Sequence, residues 1–245
     1  MFFKKKAILM IHGFVGGCYD FDNFHNELQL HKKFDVFTFT LPAHDKNIVK
    51  DVKFNEWIDE SKKQIEFLIN NGYKEIYLIG HSMGGVIAAH LASIYPQVKK
   101  IVLAAPAFRY FYFKDGKVDI KSMNETIKNI PQIFKGEDTE KVISRILKTP
   151  ISTMIEFTKL VTHCQNCVNY IECPTLTIHG RNDKIVPIES TDYIYNNIKS
   201  KTNILINIKN LNHDCFTTKK SNIVKQEIKN FLLKSPSNKK ETIEL

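Results

Sequence analysis

Apolar blocks of strand length alternate with amphipathic stretches of helix length along most of this 245-residue chain, and that alternation leaves few folds open. Residues 7–11 (Ala-Ile-Leu-Met-Ile) read as a buried strand, 21–30 as a helix and 35–41 as a strand. Residues 55–70 form a long amphipathic helix stopped by Asn71-Gly72. A strand over 75–80, a helix over 83–94 and a strand over 100–104 follow. After a break the rhythm resumes with strand 175–179, helix 188–199, strand 203–208 and helix 216–233. Continuous apolar strands separated by helices predict an α/β fold, a mostly parallel sheet flanked by helices on both faces.

The break runs from about Pro106 to Pro174. An aromatic run, Phe108, Tyr110, Phe111, Tyr112 and Phe113, leads there into short helical pieces punctuated by Gly116, Pro131, Gly136 and Pro150. Because the strand–helix rhythm picks up again, this is an insertion into one sheet. The expected division is a core of residues 1–106 and 173–233, an inserted segment of residues 107–172, and a polar tail, 234–245, that frays.

Composition excludes more than it selects. Lys and Arg number 35 against 26 Asp and Glu, a net charge of +9, but Arg109, Arg145 and Arg181 are the only arginines. The lysines are interleaved with Glu and Asp along helix-like segments, the pattern of solvated faces. No stripe of Arg and aromatics and no nucleic-acid motif appears, so no nucleic-acid partner is expected. No run of about 18 apolar residues exists, which excludes a membrane-spanning helix and any stable insertion of that kind. The apolar stretch after the basic start is cut by His12-Gly13 before it reaches the length of a secretory signal, so a cytoplasmic location is expected. The five cysteines include Cys164-x-x-Cys167, with His163 before it and Cys173 after it. That group lacks the second pair of a zinc site and does not open a helix after a strand, so reduced thiols and no metal are expected. Oligomeric state has no signal here.

The chemistry concentrates in Gly80-His81-Ser82-Met83-Gly84, a G-x-S-x-G that directly follows a strand and directly precedes a helix. A turn that sharp forces the serine into a strained backbone and leaves no room for side chains two positions to either side. It also lifts the Ser82 hydroxyl above the sheet edge at a helix N-terminus. A serine hydroxyl needs a base, and the base needs an orienting acid. His213, in the loop between the last strand and last helix, is the candidate base, since that loop lies at the same sheet edge. Asp183, in the loop after strand 175–179, is the candidate acid. Asp214 is too close in sequence to reach the His213 ring, and no carboxylate occurs between Ala105 and Lys114. His81 neighbours Ser82 and is expected to face away from it. Donors for an oxyanion are expected from the Met83 N–H and from the loop after the first strand. There Gly13 lets the Phe14 N–H turn inward, with Val15 the neighbouring alternative.

Taken together, His12-Gly13-Phe14, Gly80-His81-Ser82-Met83-Gly84-Gly85, His179-Gly180-Arg181-Asn182-Asp183 and Leu211-Asn212-His213 resemble the serine α/β-hydrolases, above all the small bacterial carboxylesterases and monoacylglycerol lipases. The resemblance spans about residues 7–233. It implies the α/β-hydrolase fold, a small helical cap formed by the insertion, a Ser82-Asp183-His213 triad and a small-molecule ester as substrate, with no cofactor. The family's Leu-Pro-Gly-His-Gly stretch is Leu41-Pro42-Ala43-His44-Asp45 here, which leaves the role of His44 open. The aromatic run suits either an acyl pocket under the cap or plain cap-to-core packing. Thioesters, lysophospholipids or a carbon–carbon bond are alternative targets for the same triad. A silent ligand-binding protein on this fold is the alternative from outside enzymology.

Overall fold

A computed structural model of the chain describes residues 6–44, 51–109, 113–114, 117–118 and 148–245. The strands are β1 (Lys6–Ile11), β2 (Phe34–Thr38), β3 (Ile76–His81), β4 (Val98–Ala104), β5 (Phe113–Lys114), β6 (Lys117–Val118), β7 (Thr175–Gly180), β8 (Thr202–Ile208) and β9 (Lys239–Glu244). The helices are α1 (Phe24–Gln29), α2 (Phe54–Asn70), α3 (Met83–Ile94), α4 (Ile151–Cys164), α5 (Glu189–Asn197) and α6 (Ser221–Leu233). Seven strands form one parallel sheet in the order β2-β1-β3-β4-β7-β8-β9, and β5 pairs with β6 in a separate antiparallel hairpin.

Period-2 alternation assigns each strand's side chains to two cores. In β1, Ala7, Leu9 and Ile11 enter the core shared with α2, α3, α4 and α5, while Ile8 and Met10 enter the one shared with α1 and α6. Both faces are covered, which is why these strands read as unbroken apolar runs. The helix expected over 21–30 is split. A 3₁₀ turn (Cys18–Phe21) precedes α1, and the chain breaks between them at Asp22, whose φ is 50°.

The strand order creates the crevice. β1 and β3 are neighbours, but the chain leaves β1 for β2 on one side and β3 for β4 on the other. The loops after β1 and β3 therefore part at the C-terminal sheet edge, where open α/β sheets bind ligands.

β4 pairs directly with β7, Ile101 opposite Thr175, so the described residues between them lie outside this sheet. Of that segment, α4 packs on the face occupied by α2 and α3 through Leu160, Val161 and Cys164. The buried Glu156 fixes α4 there: its carboxylate accepts the Phe54 N–H at 3.2 Å and pairs with Lys159 at 2.7 Å. Phe54 opens α2, so the anion sits on that helix's positive end. Within the aromatic run, Phe108 is fully buried in the core. Tyr110, Phe111 and Tyr112 lie outside the described residues, as does the side chain of Phe113. All five cysteines are free, and no metal-binding cluster exists among the described residues. No helix among them is long and apolar enough to cross a membrane.

The tail expected to fray does not. Residues 239–244 form β9, paired with β8 from Thr202 opposite Lys239 to Asn207 opposite Glu244. Backbone pairing on a free sheet edge needs no apolar run, and here only Ile243 packs inward. The charged residues that made the segment look unstructured suit an edge strand, where they discourage further pairing.

One lysine has a structural duty. Lys100 on β4 is buried, and its Nζ donates to the carbonyls of Phe231, Leu232 and Lys234 at 2.8, 3.0 and 2.6 Å. It thereby satisfies C-terminal carbonyls of α6, which have no N–H donors within the helix. Lys100→Met should leave those of Phe231 and Leu232 buried and unpaired, costing about 2–3 kcal/mol. A lowered urea midpoint with an unchanged slope is the expected result, and an unaltered midpoint would refute the assignment.

Candidate active site

Ser82 is the one residue between β3 and α3, with φ 53° and ψ −116°. Local sterics explain the flanking glycines. A Cβ on Gly80 would stand 2.3 Å from the Gly84 carbonyl oxygen, and one on Gly84 would stand 2.0 Å from that of Ile11. The strained turn is held by backbone bonds: the Ser82 N–H donates to Ala104 at 2.9 Å, and its carbonyl accepts from Gly85 at 3.0 Å and Ala107 at 3.2 Å.

The loops after β7 and β8 bring two distant side chains to this serine. His213 Nε2 lies 3.0 Å from Ser82 Oγ, and His213 Nδ1 lies 2.8 Å from Asp183 Oδ2. The other carboxylate oxygen, Oδ1, accepts the N–H groups of Ile185 at 2.8 Å and Val186 at 2.9 Å, so the Asp183 side chain is fixed at both ends. The two loops are also stitched together. Arg181 N–H donates to Ile208 and Asn182 N–H to Leu211, at 3.0 and 2.9 Å.

Electrostatics match that geometry. Burial pushes the Asp183 carboxyl up, but the His213 charge and hydrogen bond, with His179 adding to them, leave it below the usual carboxylate range. Burial alone would lower His213. The Asp183 charge and hydrogen bond outweigh it, helped by Asp214 and Asp20, and hold His213 above the usual imidazole range. Asp183 is thus an anion and His213 a strengthened base aimed at the Ser82 hydroxyl.

Two backbone segments flank the serine. Met83 is the first residue of α3, where an N–H has no acceptor within the helix and the helix dipole favours negative charge. Gly13 lies against Ser82, since a Cβ there would stand 3.2 Å from Ser82 Cβ. From Gly13 the chain makes a turn closed by Gly16 N–H to Gly13 C=O at 3.2 Å, with Phe14 and Val15 at its centre and Val15 at φ 55°. Both expected oxyanion segments therefore border Ser82.

Three histidines outside the expected triad support these loops. His12 Nε2 accepts the Leu41 N–H at 3.0 Å, and its Nδ1 donates to the Gly13 carbonyl at 2.9 Å, tying the loop after β1 to the loop after β2. His81 Nε2 donates to the His213 carbonyl at 2.9 Å, with the two rings 5.1 Å apart. Burial and the His213 charge push the His81 pKa down to about 4, so the ring is neutral and donates. His44 is buried, with Nδ1 donating to Pro42 C=O at 2.9 Å and its ring against Phe14 and Trp57. The preceding Ala43 has φ 65°, the conformation that suits glycine, as the resembling stretch has there. The ring of Phe14 in turn stacks on Phe157 of α4, 5.0 Å between centroids. Sequence gave no sign of these roles beyond the position of His12 at a strand end and His44 in the Leu-Pro-Ala-His stretch.

A family model described as alpha/beta hydrolase fold matches residues 6–137, and one described as serine aminopeptidase, S33, matches residues 139–220. A carboxylesterase of Bacillus subtilis (strain 168) is 24% identical over 237 residues, covering 94% of this chain and 93% of its own. A thermostable monoacylglycerol lipase of Bacillus sp. (strain H-257) is 22% identical, covering 84% of this chain and 82% of its own. Among solved structures, the monoacylglycerol lipase of Paleococcus ferrophilus superposes with a TM-score of 0.70 at 18% identity, covering 94% of this chain and 96% of its own.

Proposed function

This chain belongs to the α/β-hydrolase fold family, and on that premise we propose that it hydrolyses carboxylic esters through an acyl-enzyme on Ser82. The observation that carries the reading is the continuous hydrogen-bond line from Ser82 Oγ through His213 to Asp183. In the first half-reaction His213 Nε2 takes the hydroxyl proton as Ser82 Oγ adds to the ester carbonyl carbon. The oxyanion so formed is held by the N–H groups of Phe14 and Met83. The carbonyl re-forms, the carbon–oxygen bond to the alcohol breaks, and His213 gives that alcohol its proton. In the second, water surrenders a proton to His213 and attacks the acyl carbon, and Ser82 leaves with the proton returned. Asp183 keeps the imidazole in the tautomer that presents a bare Nε2 to serine and stabilises its cation. Every proton passes through His213, from Ser82 to the leaving alcohol and from water back to Ser82, so these steps call on no cofactor.

The carboxylesterase and monoacylglycerol lipase relatives support a carboxylic ester or a monoacylglycerol as substrate, and a short or medium acyl chain is part of the proposal. In this reading the inserted segment 107–172 is a cap, most of which lies outside the described residues; among those described, Phe157 of α4 stacks on Phe14 of the oxyanion loop. Five free cysteines support a reducing, cytoplasmic setting.

Wild-type enzyme assayed on p-nitrophenyl esters of two to sixteen carbons should show a short- or medium-chain optimum. A fluorophosphonate should add its mass to the peptide containing Ser82. Cleavage of aminoacyl p-nitroanilides with no ester hydrolysis would favour the aminopeptidase suggested by the second family model. Neither activity, together with no label, would overturn the hydrolase.

A further inference from the structure

The oxyanion loop stands on a carboxylate outside the triad. Asp20 lies in the 3₁₀ turn Cys18–Phe21, just after the loop, and its side chain folds back beneath it. Oδ1 accepts the Gly17 N–H at 3.2 Å, while the Asp20 N–H donates to the Gly17 carbonyl at 2.9 Å, a reciprocal clasp on one residue. Oδ2 occupies the space a side chain at Gly16 would need, 1.9 Å from where its Cβ would be. One side chain therefore touches the loop at Gly16 and Gly17, directly after Phe14 and the positive-φ Val15. A non-glycine residue at φ 55° is strained, and the turn that carries it is closed by Gly16 N–H to Gly13 C=O and flanked by the Asp20 contacts at Gly16 and Gly17.

We propose that Asp20 is a positioning residue for the oxyanion hole, holding the Gly13–Gly17 loop in the one conformation that turns a backbone N–H toward the oxygen developing on substrate bound at Ser82. The proposal rests on the esterase reading above and adds a residue to it. Burial pushes the Asp20 carboxyl up to about 7, against the pull of the Gly17 and Gly13 amides, which favour the anion. The titratable groups facing it are Asp214 and His213, both from the loop after β8.

A loop held out of place should weaken binding of the transition state while leaving ground-state binding nearly intact. The test compares wild type, Asp20→Ala and Asp20→Asn on p-nitrophenyl butyrate. Active sites are counted by end-point fluorophosphonate labelling, so that only folded enzyme enters kcat. An alkyl trifluoromethyl ketone, whose hemiketal with Ser82 places an oxyanion in the hole, reports transition-state affinity directly. For Asp20→Ala, kcat per labelled site should fall about 10- to 100-fold, below or near the loss of a whole oxyanion donor, with KM within about threefold. Affinity for the ketone should fall by a similar factor. Asp20→Asn keeps the size and one acceptor for Gly17, so about a three- to tenfold loss in both quantities is expected. It also serves as the decisive variant should Asp20→Ala not fold.

A merely structural role would lower thermal stability without changing kcat per labelled site or ketone affinity, and that result overturns the proposal. So does a kcat loss that leaves ketone affinity intact. If wild type neither hydrolyses the ester nor takes the label, the esterase reading fails and this inference with it. If wild type is active and both variants match it within twofold, only the role of Asp20 is refuted.

Discussion

Ser82→Ala is expected to lose ester hydrolysis by about 10⁶-fold, to the limit set by spontaneous hydrolysis, with thermal stability unchanged or slightly raised. The size of the loss follows from the proposed order of events, in which without Oγ no acyl-enzyme would form and a well-placed His213 would have nothing to activate. The stability expectation comes from the backbone. Ser82 has φ 53°, alanine has no larger side chain to place, and the bonds from Ala104, Gly85 and Ala107 that hold the turn are all to main-chain atoms. Kinetics on a p-nitrophenyl ester beside a thermal melt of the same preparation decide the matter. Retention of more than about one per cent of wild-type kcat/KM would show that another group is the nucleophile.

Asp183→Asn should be the next most damaging change, about 10⁴-fold in kcat, and it carries a pH signature. Wild-type His213 must be neutral to accept the serine proton, and the Asp183 charge holds its pKa above the usual imidazole range. Activity should therefore rise with pH through a midpoint above that range. The amide removes the attraction that raised the pKa, and the remaining burial lowers it. The midpoint of the variant should accordingly move to lower pH while its plateau collapses, because the Asn amide favours the tautomer with a proton on Nε2, facing Ser82. Measuring kcat/KM from pH 5 to 9 in both proteins tests this. An unshifted midpoint, or a loss below tenfold, would mean that Asp183 does not orient the base.

Much of this was legible along the chain because the governing interactions are local or periodic. The helix over Met83–Ile94 has the bounds read from its pattern, and the clash that requires glycine at position 80 lies only four residues on, at Gly84, whereas the one at Gly84 is with Ile11 of β1. The sheet followed from apolar runs too short for helices and too continuous for one-sided strands. The boundaries that shifted are those where tertiary bonds override propensity. β2 stops at Thr38, short of residue 41, where the Leu41 N–H is taken by His12. α6 begins at Ser221, and the apolar residues Cys215 and Phe216 before it are buried in the second core without being helical.

What the chain's own pattern determined, then, is the class of sheet, the place of Ser82 at its edge, and the two loops from which a base and an acid would come. Tertiary structure decided the rest. It set His213 3.0 Å from a serine 131 positions away, recruited the polar tail as β9, and put the Asp20 carboxylate under Gly16 and Gly17. The reason is one of range. Steric exclusion and hydrophobic periodicity act over a handful of residues and leave their mark in the order of letters. A hydrogen bond between loops depends on the register of the strands that carry them and on the packing that fixes that register, and neither is written at the residues it joins.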